Sequence, residues 1–168
     1  MSRITGIFVS LTTAAPAWTG TDDQLYLGVV GTVGGREFNL NVAGFDDFEE
    51  GTVVPYSIGP GAAVFGGKQP ITADADLADT LICQPNVTHV YLRKLGGPSA
   101  GADDAWRLQS VFLYLIAPPA PTRVFQSTGP ATLSFENGLT VWLGETGHSG
   151  DFLDAKIPST GIAACRPG

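Results

Sequence analysis

The chain has 168 residues, enough for one domain with a sizeable core, and 43% of them are apolar against 15% charged, which excludes a disordered chain. Its net charge of −7 disfavours nucleic acid as a partner, because phosphate binding needs clustered Lys and Arg, and disfavours simple attraction to an anionic membrane. The 22 glycines and 12 prolines are spread along the chain, a composition of short strands and tight turns rather than long helices.

In chain order, Ile4 to Thr12 alternates as a strand and stops at Pro16 and the Trp18-Thr19-Gly20 turn. Leu25 to Val30 is a second strand, Gly34-Gly35 signals a hairpin, and Arg36 to Leu40 returns as the third. Gly44 to Glu50 is an acidic loop. Gly51 to Ile58 is the fourth strand, and Pro55 within it requires an edge position or a bulge. Gly59 to Asp79 reads as a long loop, with a short helix from Asp74 to Asp79 as the alternative. Val87 to Leu92 is a strand with Val87, His89 and Tyr91 on one face and Thr88, Val90 and Leu92 on the other. Gly96 to Asp104 is another loop, and Trp106 to Ile116 is a strongly apolar strand ended by Pro118, Pro119 and Pro121. Arg123–Phe125, Ala131–Phe135 and Leu139–Leu143 add two or three strands, with Glu136-Asn137-Gly138 read as a type I′ turn. About eight strands at short spacing, with almost no helix, specify an all-β antiparallel sandwich.

Three loops carry adjacent aspartates at strand boundaries: Asp22-Asp23, Asp46-Asp47 and Asp103-Asp104. Calcium takes roughly six to eight oxygens from carboxylates, carbonyls and water, and three such loops supply that set if they meet. The bland reading is that Asp and Gly are turn residues exposed to solvent. There is no EF-hand run, no C-x-x-C pair and no Ser–His–Asp or Cys–His arrangement. His89 reads as a strand residue, His148 as a solvent-exposed loop residue, and Cys83 and Cys165 as separate thiols, with a disulfide between them as the alternative. No signal-type apolar segment and no apolar run long enough to span a membrane are visible. The expectation is therefore a soluble, non-enzymatic module, cytoplasmic or exported by another route.

The stretch TGTDDQLYLGVVG, followed by REFNLNVAGFDDFEEGT, resembles the PLAT domain, the sandwich named for polycystin, lipoxygenase and alpha-toxin. VTHVYLRK followed by DDAWRLQSVFL is similar to the second half of its alpha-toxin-type members. The resemblance covers residues 3–117, so that residues 1–117 form the PLAT-like sandwich and residues 118–168 add strands and a tail to the same domain. It implies calcium held at the loop end and contact with phospholipid. Carried over, Gly20 and Ala105 offer carbonyls, and Thr21, Asp22, Asp46, Asp47 and Asp104 ligate. Asp23 and Asp103 are spare, and Trp106 belongs to the core. The exposed aromatics of the family's third loop are missing here, leaving Trp18 and Phe45 as membrane contacts or, on the bland reading, caps over the core.

A calcium-dependent phospholipid-docking module is the leading expectation. A protein-interaction module with structural calcium or none is the alternative, to be marked by an exposed apolar patch near Phe125, Phe135 or Trp142. A carbohydrate-binding sandwich is a third reading, and it requires exposed aromatics lining one sheet face.

Overall fold

Alternation sets the two layers. Along β1 (Gly6–Thr13), Ile7, Val9 and Leu11 are buried while Phe8, Ser10 and Thr12 are partly exposed, the period-two pattern of a half-buried strand. The computed structural model describes residues 3–32, 34–42, 45, 47–60, 62, 86–95, 105–127 and 129–146. Within them lie β1, β2 (Gln24–Gly31), β3 (Gly34–Asn39), β4 (Val53–Ile58), β5 (Val87–Leu95), β6 (Trp106–Ile116), β7 (Arg123–Gln126), β8 (Ala131–Leu133) and β9 (Thr140–Glu145). The readings for the segment 63–85, including the alternative helix and Cys83, fall outside the described residues. So do those for 96–104 and for the tail from 147 with His148 and Cys165.

One layer runs β4-β1-β6-β7, with β8 also on β6, and the other runs β3-β2-β5-β9. β9 pairs with β5 and with β7, so the two layers are one sheet curled on itself. Every described pairing is antiparallel. Leu25, Leu27 and Val29 of β2 share one buried cluster with Val9 and Leu11 of β1 and Leu113 and Leu115 of β6. Burying each such side chain contributes roughly 1.5–3 kcal/mol, and this cluster is what holds the layers face to face. The result is the all-β antiparallel sandwich that the strand spacing specified.

Pro55 sits in β4, an edge strand paired only with β1, where its missing N–H breaks no ladder. Three local readings need correction. The hairpin glycines Gly34 and Gly35 lie inside β3, opposite Gly31 and Val30, so the turn falls one pair earlier in sequence. Val87 faces the core together with Val90, because Val30 pairs His89 and Gly31 pairs Val87, leaving Thr88 as an extra residue in a bulge. The turn before β9 is not type I′: Gly138 alone has positive φ, at 95°, and it bridges Ser134. Ser134 Oγ accepts the Asn137 backbone N–H at 3.0 Å and its side-chain amide at 2.9 Å, which fixes a wider turn.

Candidate functional site

Register brings the strand ends that border the acid-bearing loops to one end. Thr12 pairs Val53 across β1–β4, Thr13 pairs Leu108 across β1–β6, and Gln24 pairs Leu95 across β2–β5. The ends of β1, β3 and β5 therefore lie with the starts of β2, β4 and β6, and the chain between each leaves and returns there. The first loop is tied directly to the second loop and to the start of β6. Thr19 O accepts the N–H of Arg107, the second residue of β6, at 3.0 Å. Gly20 presses on the second loop: a Cβ there would stand 3.1 Å from Phe48 O, 3.2 Å from Glu50 N and 3.3 Å from the Glu49 Cα. Only glycine makes that approach without displacing backbone.

Within the first loop, Thr21 is buried and its Oγ1 accepts the Asp23 N–H at 3.1 Å, while Asp22 is exposed. Thr19 is buried, its hydroxyl donating toward the carbonyl oxygens of Ala14 and Pro16. Asp23 takes the ammonium of Lys94, whose side chain is wholly buried. Asp47 is buried too, and both its oxygens are engaged. Oδ2 accepts the Val42 N–H at 2.7 Å and Oδ1 accepts the Tyr56 hydroxyl at 2.8 Å. Burial first, and then the Asp47 carboxylate, push the Tyr56 phenol well above its ordinary value, so it remains a donor. Ala105 is half-buried beside Trp106. Asp46, Asp103 and Asp104 lie outside the described residues, and among the described residues no three His, Cys, Asp or Glu side chains stand together as a metal cluster.

Two aromatics expected at this end are on the outside. Trp18 is 94% exposed and Phe45 44%, so neither caps the core. Trp18 has φ 66°, a left-handed conformation uncommon for a bulky residue, and its N–H donates to Glu50 Oε2 at 2.9 Å. The second loop thus holds the first in the conformation that presents the indole. Trp106, by contrast, is fully buried, edge-on to Phe48 at 5.8 Å, with Nε1 donating to Thr13 Oγ1 at 3.1 Å. His89 is a strand residue beside Trp142, at 5.7 Å between rings.

Two features escaped sequence reading: the Lys94–Asp23 pair, and the role of Asp47 as an anchor for Tyr56 and Val42. The only sequence signal for the first was a lysine on the inward phase of a strand. Among the described residues, no helix is long and apolar enough to cross a membrane.

No family model and no curated protein matches the sequence. Solved structures do share the fold. Alpha toxin from Clostridium absonum is 20% identical with a TM-score of 0.58, over 85% of this chain and 32% of that one. Alpha-toxin from an avian strain of Clostridium perfringens is 19% identical with a TM-score of 0.58, over 84% and 31%. Coral 8R-lipoxygenase, described with calcium activation via a C2-like domain, is 18% identical with a TM-score of 0.54, over 83% and 17%. The chain spans about a third of each alpha toxin and about a sixth of the lipoxygenase.

Proposed function

From a PLAT-like fold with its acid-bearing loops gathered at one end, we propose a calcium-dependent docking module for phospholipid surfaces, with no catalytic role. The observation that carries this reading is the double tie on the first loop, through Gly20 to residues 48–50 of the second loop and through Thr19 to Arg107 in β6. It supports a single site drawing on the first two loops beside the start of β6, where the third loop ends. The proposed ligands are the carbonyls of Gly20 and Ala105 together with Thr21, Asp22, Asp46, Asp47 and Asp104. The donor set suits calcium, since it is all oxygen. Asp22 offers an exposed carboxylate, and Asp47 uses two of roughly four acceptor positions on its carboxylate.

The bound ion would supply positive charge at an acidic end, letting a chain of net charge −7 approach lipid phosphate. Trp18 and Phe45 would enter the headgroup region beside it. The calcium activation described for the coral lipoxygenase supports the same reading here. The alternative is a protein-docking module with structural calcium or none. Phe135 and Trp142, 65% and 48% exposed, favour it, although Phe125 is buried.

Calorimetric calcium titration of chelator-stripped protein tests the site, with an Asp22→Ala/Asp104→Ala variant beside it. Saturable binding lost in the variant is expected. Vesicles of phosphatidylserine and phosphatidylcholine should then sediment the protein only with calcium, and Trp18→Ala should weaken this roughly tenfold. No heat and no thermal stabilisation at millimolar calcium would leave the protein-docking reading.

A further inference from the structure

We propose that the outer face of the β3-β2-β5-β9 layer is a binding platform for neutral glycan chains, built on Tyr91, Trp142 and Tyr26. Cross-strand register puts Glu37, Gly28, Tyr91 and Trp142 in one row across all four strands, and Asn39, Tyr26, Arg93 and Thr140 in the next.

Gly28 makes the floor. A Cβ there would lie 2.1, 2.3 and 2.5 Å from Cζ, Cε1 and Cε2 of Tyr91. Near-equal distances to both ortho carbons and the carbon between them mean that the ring lies with one face on the glycine. Its other face points away from the sheet. The ring reaches from β5 across β2, and its hydroxyl donates to Glu37 Oε1 on β3 at 3.0 Å. Trp142, 48% exposed on the next strand, stands beside it with ring centroids 5.0 Å apart and planes at 64°. Floor and wall form a corner. His89 backs the wall at 5.7 Å, and the Arg93 guanidinium lies over Tyr26 at 4.8 Å.

The polar groups stand at the rim of the floor. Glu37 and Arg93 form a two-point pair, Nε to Oε1 and Nη2 to Oε2, both at 2.7 Å. Their charges cancel within the face, although the chain as a whole carries −7. That neutrality selects against anionic lipid, polyanions and basic peptides. A pyranose ring offers an apolar C–H face to stack on an aromatic and hydroxyls around its edge. It matches a flat ring bordered by a guanidinium with donors beyond its carboxylate pair and a carboxylate that accepts. A polyproline segment fits less well, since it takes grooves between aromatics rather than a floor-and-wall corner.

The probes are cellohexaose, maltohexaose and mannohexaose, followed by calorimetry and by tryptophan emission. Saturable binding of at least one is expected, unchanged by chelator. Trp142→Ala removes the wall, and Gly28→Val lifts the Tyr91 floor. Each should weaken binding roughly tenfold or more. Trp142→Phe should retain part of it. Thermal melting checks that each variant folds, and Trp142→Ala, at an exposed position, decides the matter if Gly28→Val does not fold. Three results would overturn the proposal: no saturable binding of any hexasaccharide at millimolar concentration, equal binding by Trp142→Ala, or Trp142-dependent binding of decaproline or self-association without glycan binding.

Discussion

Lys94 and Asp47 are the two charged side chains that fall in the buried set among the described residues, and both serve the loop end. The Lys94 side chain is wholly buried, whereas its partner Asp23 keeps 14% exposure. The two are therefore unequal when broken. Asp23→Asn strands a buried ammonium and should lower stability by about 4 kcal/mol. Lys94→Met leaves a carboxylate with some access to water, and about 2 kcal/mol is expected. The double variant should be less destabilised than the sum of the two, a coupling read from urea denaturation of all four proteins. Additivity would show that the pair holds nothing together.

Glu37 carries the pH dependence at this scale. Hydrogen bonds from Arg93 hold its carboxyl below the ordinary value of 4.5, against the opposing effect of burial. As pH falls, the unfolded chain takes up this proton before the folded one does. The contribution is complete above the ordinary carboxylate value and is lost as pH drops through the lower folded one. Glu37→Gln should therefore flatten the acid limb of a stability–pH profile measured by urea denaturation. Its effect at neutral pH should stay under about 1 kcal/mol, because both partners are about a third exposed.

At the scale of elements, the contact between the first and second loops rests on one missing side chain. Gly20→Ala puts a methyl 3.1–3.3 Å from three backbone atoms that have no rotamer by which to escape. A loss of about 1–2 kcal/mol follows, with a weaker stabilisation by calcium if the loops share an ion. Thermal melts with and without calcium measure both. Strands were legible in the sequence wherever their own residues decide them. The alternating Trp106–Ile116 run needs no partner to be read, and Pro55 narrowed its strand to an edge position or a bulge. Face and turn were less legible where a partner decides. The bulge at Thr88 depends on where Gly31 pairs, and the Gly138 turn depends on a hydroxyl from Ser134. The carboxylates show the same division. That three loops carry aspartate pairs is plain in the sequence. Which carboxylate is already engaged is not, because Asp47 is engaged by Tyr56, nine residues on, and Asp23 by Lys94, 71 residues on.

For the whole molecule, the strands after Ile116 are structural members of both layers. β9 completes the layer of β5, and β7 and β8 both pair with the edge of β6 opposite β1. A chain ending at Ala117 loses the buried side chains Phe125, Leu133 and Leu143. At roughly 2 kcal/mol each, their loss alone approaches the whole stability of a typical domain, about 5–15 kcal/mol. Such a chain should show no cooperative melting transition and should bind a hydrophobic dye. A sharp transition would mean that residues 1–117 fold by themselves.

The curl of the sheet has one thin place. β9 pairs with β5 from Thr140 to Leu143, yet meets β7 only through Glu145 and Gly144. The Arg123–Glu145 ion pair, at 2.8 and 2.7 Å, spans that join, and Thr146 N–H reaches Val124 O at 2.9 Å. Local opening is cheapest where the fewest ladder pairs hold two strands, so fluctuations concentrate at this short join between the layers. Backbone amides of β7 and the end of β9 should accordingly exchange with deuterium sooner than those of β1, β2 and β5. The molecule would then breathe along a line of its own, parting between β7 and β9 while its central strands stay shut.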